Sequence, residues 1–570
     1  MRKESLLVPL SVWLRALTLV AVTGIACGGE AAETKAPRPN IVLLLADDLG
    51  YSDLGCFGSE IATPSLDRLA SQGVRLTQFY TTPRCCPTRA ALLTGLYSQQ
   101  AGMGNMMEDR GVPGYRGELN RDCLTMAEEL RPAGYHTSMV GKWHLNHIHF
   151  TGKKQLDYES AEPFWESKAG WPLQRGFEEY FGTIHGVCSY YDPFSLVDGN
   201  RPTRPETKDF YYTDVITDHA LADIDRHAGE DRPFFLYVAY TAPHWPLQAP
   251  EADIARYRQR YLAGWDVIRT NRYHRQIALG MVDPSWPLSP RDPRVPDWNQ
   301  VRDKAWEANR MATYAAMVER LDRGIGRILD RLKEKGIEQN TLVIFFSDNG
   351  ACAEIIEPQW YDIPSRTRAG RPIKAGNRDH AVFAGPEEVW QSYGVPWANV
   401  SDTPFLLYKH FTHEGGIASP LIASWPARLH HPGSLSRHIG HVTDLLPTFL
   451  EVAGAQHPGA YEGHALLPLE GRSLLPVLEG NAQPRLAPLF WEHEGNRAVR
   501  LGQWKLVALH RHDWDLYDVE ADRTELKNLA AVYPERVKEM SGWYDGWAQR
   551  CHVVPPEQLP PARPTVSAPD

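Results

Sequence analysis

Cysteine, positive charge and long apolar runs are all scarce in this 570-residue chain, and each scarcity excludes something. Eight cysteines in 570 residues are too few for a disulfide scaffold, and none stand in the C-x-x-C spacing of a zinc site. A formal charge of -10 excludes the basic footprint of a protein whose main partner is a nucleic-acid backbone. Past the N-terminus no run approaches the roughly 20 apolar residues of a membrane-spanning helix, so no transmembrane span is expected. Internal repeats are also missing. What is present, 43% hydrophobic and 10% aromatic residues, suits a globular protein with a substantial core.

Arg2 and Lys3 precede an apolar stretch strongest from Ala16 to Ala26, followed by small residues at Cys27 to Gly29. That order is a secretory signal pattern, assigned to residues 1–33, and predicts an exported, periplasmic or extracellular protein. Gly24-Ile25-Ala26-Cys27 is similar to a lipoprotein cleavage box, but Gly24 stands where a branched aliphatic residue is usual. Export without a lipid on Cys27 is the expectation, and anchoring through Cys27 is the alternative.

From Pro39 to Phe346 short runs of Val, Ile, Leu and Phe stop at ionisable residues. Ile41 to Ala46 ends at Asp47-Asp48, and His136 to Val140 leads to Lys142 and His144. Phe234 to Tyr240 leads to His244, and Thr341 to Phe346 ends at Asp348-Asn349. Continuously apolar runs read as parallel strands buried on both faces. Helical spacing lies between them: Met311, Tyr314, Met317, Val318, Leu321, Ile325, Ile328, Leu329 and Leu332 recur at helical period, and Gly336 supplies a stop. Strand–helix alternation predicts an α/β fold, a large, mostly parallel sheet with helices on both faces. Ligands of such sheets bind beyond the carboxyl ends of the strands, where these polar residues would meet. Asp47, Asp48, Asp348 and the amide oxygen of Asn349 would form an all-oxygen set suited to a hard cation, calcium or magnesium. Any one of these Asp residues alone would read as a cap or turn residue.

Pro83-Arg84-Cys85-Cys86-Pro87-Thr88-Arg89 reads as a loop entering a helix that ends near Gly95. Cys85 would then sit at the positive helix terminus with Arg89 one turn away, a setting that activates sulfur and attracts anions. A vicinal Cys85–Cys86 disulfide, soft-metal binding and a plain buried thiol fit the same spacing.

Cys85-x-Pro87-Thr88-Arg89, continued by Leu93-Thr94-Gly95, resembles the signature of the type I sulfatases, formylglycine-dependent members of the alkaline phosphatase superfamily. Thr88 replaces the commoner serine, as in some bacterial arylsulfatases. The resemblance continues through Asp47-Asp48-Leu49-Gly50, Gly141-Lys142-Trp143-His144-Leu145, Ala242-Pro243-His244, Ser347-Asp348-Asn349-Gly350, Lys409 before Glu414-Gly415-Gly416, and Asp444-Leu445-Leu446-Pro447-Thr448. Gly502-Gln503-Trp504-Lys505-Leu506 and Leu516-Tyr517-Asp518 look like the family's small C-terminal antiparallel subdomain.

This resemblance implies that Cys85 is oxidised to formylglycine by a formylglycine-generating enzyme. One hydroxyl of the hydrated aldehyde would attack sulfur, and the second would expel sulfate by C–O cleavage, restoring the aldehyde. It further implies calcium, or magnesium, on Asp47, Asp48, Asp348, Asn349 and residue 85. Arg89 would orient the hydrate, Lys142 and Lys409 would bind sulfate oxygens, His144 would manage the hydrate's proton, and His244 would contact the substrate and assist the leaving oxygen. The insertion Cys352 to Phe405 precedes Lys409, and Lys374 within it offers a second cation. The expected substrate is a small-molecule or carbohydrate sulfate ester, most similar to those of bacterial arylsulfatases. Rival readings are a formylglycine-dependent phosphonate or phosphate ester hydrolase and a non-catalytic binding homologue with unmodified Cys85.

The expected organisation is a catalytic α/β domain over 37–485, an antiparallel subdomain over 487–554 and a Pro-rich disordered tail over 555–570. Loops from Asp283 to Trp298 and from Glu354 to Trp397 are expected to wall the pocket, with His244-Trp245-Pro246 lining it and Trp360, Trp390 and Trp397 helping to close it.

Overall fold

The structure, a computed structural model, describes residues 38–146, 168–205, 207, 209–360 and 363–562. The signal pattern of residues 1–33 and residues 563–570 of the expected tail lie outside them. Along the chain, β1 (Asn40–Ala46), β2 (Val74–Tyr80), β3 (His136–Lys142), β4 (Glu179–Thr183), β5 (Leu196–Asp198), β6 (Arg201–Pro202), β7 (Phe234–Ala239) and β8 (Thr341–Ser347) come first. A short parallel pair follows, β9 (Lys374–Ala375) with β10 (Val389–Trp390), and then β11 (Ala418–Ser424) and β12 (Ser434–His441). A small hairpin of β13 (Ala460–Tyr461) and β14 (His464–Ala465) precedes β15 (Leu489–His493), β16 (Asn496–Leu501), β17 (Trp504–Ala508) and β18 (Asp515–Asp518).

The main sheet has ten strands in the order β12-β2-β11-β8-β1-β7-β3-β4-β5-β6. β8, β1, β7, β3 and β4 run parallel, β11 is antiparallel to both its neighbours, and β5 and β6 make an antiparallel edge. The apolar strand runs are explained by burial on both faces. Val42 and Leu44 of β1 join one core, with Leu236 and Phe345, while Ile41, Leu43 and Leu45 join another, with Phe235 and Phe346. Successive side chains of a strand point to opposite faces, so both faces must be covered.

Helix Lys304–Glu334 covers the first face with Met311, Tyr314, Met317, Val318, Leu321, Ile325, Ile328 and Leu332, and Gly336 (φ 71°) turns the chain after it. Helix Cys85–Thr94 lies in the second core, where all ten of its residues are buried, and Gly95 (φ 66°) closes it with an N–H to the Ala91 carbonyl. Its sequence is apolar almost all round, apart from Arg89 and two threonines whose hydroxyls are hydrogen-bonded, because water reaches no side of it.

β15 to β18 form a separate antiparallel sheet in sequential order. Phe490, Val499, Leu506 and Leu516 of that sheet pack against Met540, Tyr544 and Trp547 of helix Pro534–Arg550. Residues 555–562, expected to be disordered, instead carry a short 3-10 turn at Pro556–Gln558, and Arg110 donates to the Pro560 carbonyl. Consecutive prolines preset the turn and leave few N–H groups to satisfy.

Two tryptophans expected to close the pocket belong to the core. Trp397 is fully buried, 5.5 Å from Tyr261 and 5.6 Å from Trp265 ring to ring, and its indole donates to the Glu307 carbonyl. Trp390 is likewise fully buried. The insertion forms β10 and helix Gly394–Ser401 there and turns both indoles inward, because indole surface left in water would forfeit a large apolar contribution. Among the described residues, no helix is long and apolar enough to cross a membrane.

Candidate active site at the carboxyl edge of the sheet

β8, β1, β7 and β3 are consecutive in the sheet and parallel, so their polar ends meet at one edge. Beyond the strands the backbone stays zipped: Asp348 N–H donates to Ala46 O and Asp47 N–H to Ala242 O, both at 3.1 Å. Asp48 (φ 63°) and His144 (φ 60°) are non-glycine residues in the left-handed region, a cost tolerated where function dictates direction. In this turn, Asp48 N–H donates to Asp348 Oδ1 at 3.2 Å. Gly141 (φ 103°) gives β3 its close approach, since a Cβ there would stand 1.9 Å from Ala239 O.

Around Cys85 the predicted residues converge, all of them buried. Arg89, one helical turn on, donates through Nε (3.1 Å) and Nη2 (2.8 Å) to Asp348 Oδ2 and through Nη1 to the Lys142 carbonyl. Lys142 Nζ lies 2.5 Å from Asp47 Oδ2, and Lys409 Nζ lies 3.0 Å from Asp48 Oδ2. His244 Nε2 faces both Asp48 Oδ2 (3.4 Å) and Lys409 Nζ (3.5 Å), while its Nδ1 donates to Trp245 O at 2.6 Å. His144 is buried beside Cys85, whose charge acts on its imidazole. Lys374 is exposed on β9, so the cation that reaches the carboxylates after the long insertion is Lys409.

The electrostatics are those of a crowded, dry pocket. Burial pushes Asp47 up to about 6 and Asp348 well above the usual carboxylate range. Asp48 is penalised by burial too, but Lys409 and His244 hold it below its ordinary value. Burial keeps His144 well below, and His244 below, the usual imidazole value, so both are neutral bases. A hydrogen bond from Cys86 is the main cause that holds the Cys85 thiol well below its ordinary value, with Lys142, Lys409 and His144 assisting against burial. Cys85 and Cys86 are both free thiols, which excludes the vicinal disulfide.

The donor set fits a hard cation. Asp47 Oδ1 and Asn349 Oδ1 are buried oxygens without a hydrogen-bond partner, and oxygen donors of Asp47 and Asp348 lie within 4.8 Å of one another and of the Cys85 sulfur. Buried oxygens in water-free surroundings are costly unless something positive meets them. Three carboxylates oppose Arg89, Lys142 and Lys409, so a divalent ion would leave the pocket cationic and ready for an anionic ester.

Sequence reasoning missed Glu354. It is half-buried, accepts from the Trp245 indole at 2.7 Å, and lies 3.0 Å from His410 Nε2, 3.5 Å from Arg84 and 3.9 Å from Lys409. Burial opposes its charge, but Lys409, His410 and Arg84 hold its carboxyl well below the usual range. Glu354 follows no strand and sits in no motif, so only the folded loop reveals it. Trp360, half-buried, lies 5.7 Å from Trp245 ring to ring, tilted at 52°, and Trp245 in turn lies 5.0 Å from His244.

Residues 39–455 match the Sulfatase family, and residues 405–540 match the C-terminal domain of N-sulphoglucosamine sulphohydrolase. The chain belongs to the sulfatase family. It is a sulfuric ester hydrolase, of a family that generally uses a formylglycine and a divalent metal. An uncharacterised sulfatase of Schizosaccharomyces pombe is 35% identical over 90% of this chain and 93% of its own length. An arylsulfatase of Klebsiella aerogenes is 34% identical over 82% of this chain and 98% of its own length. The crystal structure of Ps i-CgsB in complex with k-i-k-neocarrahexaose superposes with a TM-score of 0.62 at 25% identity, covering 90% of this sulfatase and 93% of that chain.

Proposed function

We propose that this sulfatase hydrolyses arylsulfatase-type sulfate monoesters at residue 85. The observation that carries the reading is the ring of Arg89, Lys142, Lys409, His144 and His244 around the Cys85 sulfur at a helix start, above three carboxylates. Formylglycine at position 85 would supply a hydrated aldehyde as nucleophile toward sulfur. Asp47, Asp48, Asp348 and Asn349 would hold calcium, or magnesium, which supplies Lewis acidity toward a sulfate oxygen.

The chain's own groups do the rest. Lys142 and Lys409 bind equatorial sulfate oxygens and offset charge that develops on them. Arg89, fixed by two bonds to Asp348, cannot swing away and presents its charge to residue 85. His144, kept neutral by burial, takes the proton of the attacking hydroxyl. His244 donates its Nδ1 proton to Trp245 O, which turns Nε2 toward Lys409, and the Lys409 ammonium beside it offsets charge on the departing oxygen. The dry walls at Trp245 and Trp360 strengthen each of these interactions.

Both aryl and sugar sulfates fit this chemistry, and the relatives' names and the neocarrahexaose of the structural neighbour support including both in the assay. Arg2-Lys3 and the apolar stretch Ala16 to Ala26 support export, and maturation of Cys85 requires a formylglycine-generating enzyme as partner. Mass spectrometry of the Cys85 peptide from the native host should find the CH2SH group converted to an aldehyde. A fully unmodified thiol in active protein overturns the mechanism. On a panel of aryl sulfate, sugar sulfate, aryl phosphate and phosphodiester, faster turnover of the phosphoesters overturns the assignment of substrate class.

A further inference from the structure

A second constellation of ligand-type side chains lies at the opposite edge of the sheet. His136 is the first residue of β3, Glu179 the first of β4, and His227 the last of helix Tyr212–His227. β3 and β4 are parallel neighbours, and the helix returns along them, so the three starts and ends coincide. β3 runs from His136 to Lys142, about 20 Å at the rise of an extended strand, so this cluster takes no part in the catalytic pocket.

The imidazoles of His136 and His227 lie 3.7 Å apart, centroid to centroid, at 37°. His136 Nδ1 and His227 Nε2 are both out of contact with solvent and neither makes a hydrogen bond. His136 Nδ1 stands 3.1 Å from Glu178 Oε2, and His227 Nε2 stands 3.4 Å from Glu179 Oε1. His227, only 3% exposed, is oriented by its other nitrogen, 3.2 Å from Glu230 Oε1. A carboxylate on Nδ1 fixes the tautomer that leaves Nε2 as a lone-pair donor, the arrangement that surrounds metal-bound histidines.

We propose that His136, Glu179 and His227 form a binding site for a zinc-class transition-metal dication, with water completing the coordination. Two imidazoles and a carboxylate suit zinc, nickel or copper, whereas the all-oxygen set of the catalytic edge suits a hard cation, so the two sites select different ions. The local charge agrees. Glu178, Glu179 and Glu230 face Arg226 and Arg232, leaving a net negative charge for a dication to offset. One donor atom from each of the three residues lies within 4.8 Å of the others, and a tetrahedral ion with bonds of about 2.1 Å draws them to about 3.4 Å through side-chain rotation. Binding there ties β3, β4 and the helix together at their ends.

The test is a zinc titration of the full-length protein, by calorimetry and by equilibrium dialysis, in the presence of millimolar calcium. Expected are one zinc per chain, a rise in Tm on binding, and a cobalt derivative with visible d–d absorption. Glu179→Gln weakens zinc binding about tenfold or more, the His136→Ala/His227→Ala pair abolishes it, and turnover in calcium stays within about twofold of wild type. Zinc binding undiminished in Glu179→Gln and the double variant overturns the proposal. So does loss of the zinc in His493→Ala or His244→Ala instead, which would move it to the His410–His493–Glu494 group or to the catalytic pocket. Absence of any bound zinc in wild type at about 100-fold the chain concentration also overturns it.

Discussion

Lys409 Nζ stands 3.0 Å from Asp48 Oδ2 although 361 residues separate them in the chain. One belongs to the end of the first strand and the other to a loop held by tight glycine contacts: a Cβ on Gly415 would meet Leu407 O at 2.2 Å, and one on Gly416 would meet Phe411 O at 1.9 Å. The loop can coil this closely only because those positions lack side chains, and the coil delivers the ammonium to the carboxylate.

Lys409→Ala should lower kcat/KM for an aryl sulfate by about 10²- to 10³-fold, the cost of losing one preorganised charge on the transition state. Lys374→Ala, which removes an exposed cation on β9, should stay within about twofold. Steady-state kinetics of the two variants distinguish them. Equal, small effects would remove Lys409 from the site.

Chelation with excess EDTA should abolish turnover and lower Tm, and added calcium should restore both. Loss of an ion present at 100 times its dissociation constant removes about 2.7 kcal/mol of stability. Asn349→Ala should raise the calcium concentration needed for half-maximal rescue. Tm and activity that ignore EDTA would mean that the orphaned oxygens of Asp47 and Asn349 hold no ion.

Glu414 is the buried link between the main sheet and the C-terminal one. It accepts from Lys505 and Tyr80 and pairs with Arg523, at 2.9, 2.8 and 2.8 Å. Glu414→Gln leaves Arg523 without its paired carboxylate and Lys505 with Glu525 alone in a dry interface, at a cost of about 3 kcal/mol. Urea unfolding followed by tryptophan fluorescence measures it, and a loss below about 1 kcal/mol would contradict the linking role.

Glu492 gives a pH dependence of stability away from the catalytic edge. Burial pushes its carboxyl up to about 7 from the ordinary 4.5, against hydrogen bonds from Gly495 N–H, Gln99 and Tyr115. The folded state therefore binds this proton more tightly than the unfolded chain. The associated stability is full below about pH 4.5, declines as pH rises toward about 7 and is gone above it, on the order of 3 kcal/mol in all. Glu492→Gln should flatten that part of the decline between pH 5 and pH 8 in chemical-denaturation curves. An unchanged slope in the variant would assign the dependence elsewhere.

The central strands were legible because burial on both faces forces continuous apolar runs, and Ile41 to Ala46 and Thr341 to Phe346 stop where the sheet stops. Nine residues of the pocket were legible because each sits in a short motif at a strand or helix end. Glu354 was not, since its partners Arg84, Trp245, Lys409 and His410 come from three other segments. Trp390 and Trp397, expected to help close the pocket, are core residues of β10 and of helix Gly394–Ser401, elements too short to show a periodic buried face in the sequence.

By itself the sequence determined the strand–helix alternation, the cysteine at a helix start, and the acidic pairs that follow two strands, since all of these are written in neighbouring residues. Tertiary structure alone decided that β8, β1, β7 and β3 lie side by side, that Lys409 rather than Lys374 meets Asp48, and that Glu414 ties the C-terminal sheet to the rest. Those are contacts between residues hundreds of positions apart, and their partners are selected by burial and charge compensation in the packed chain, which no local window of sequence contains.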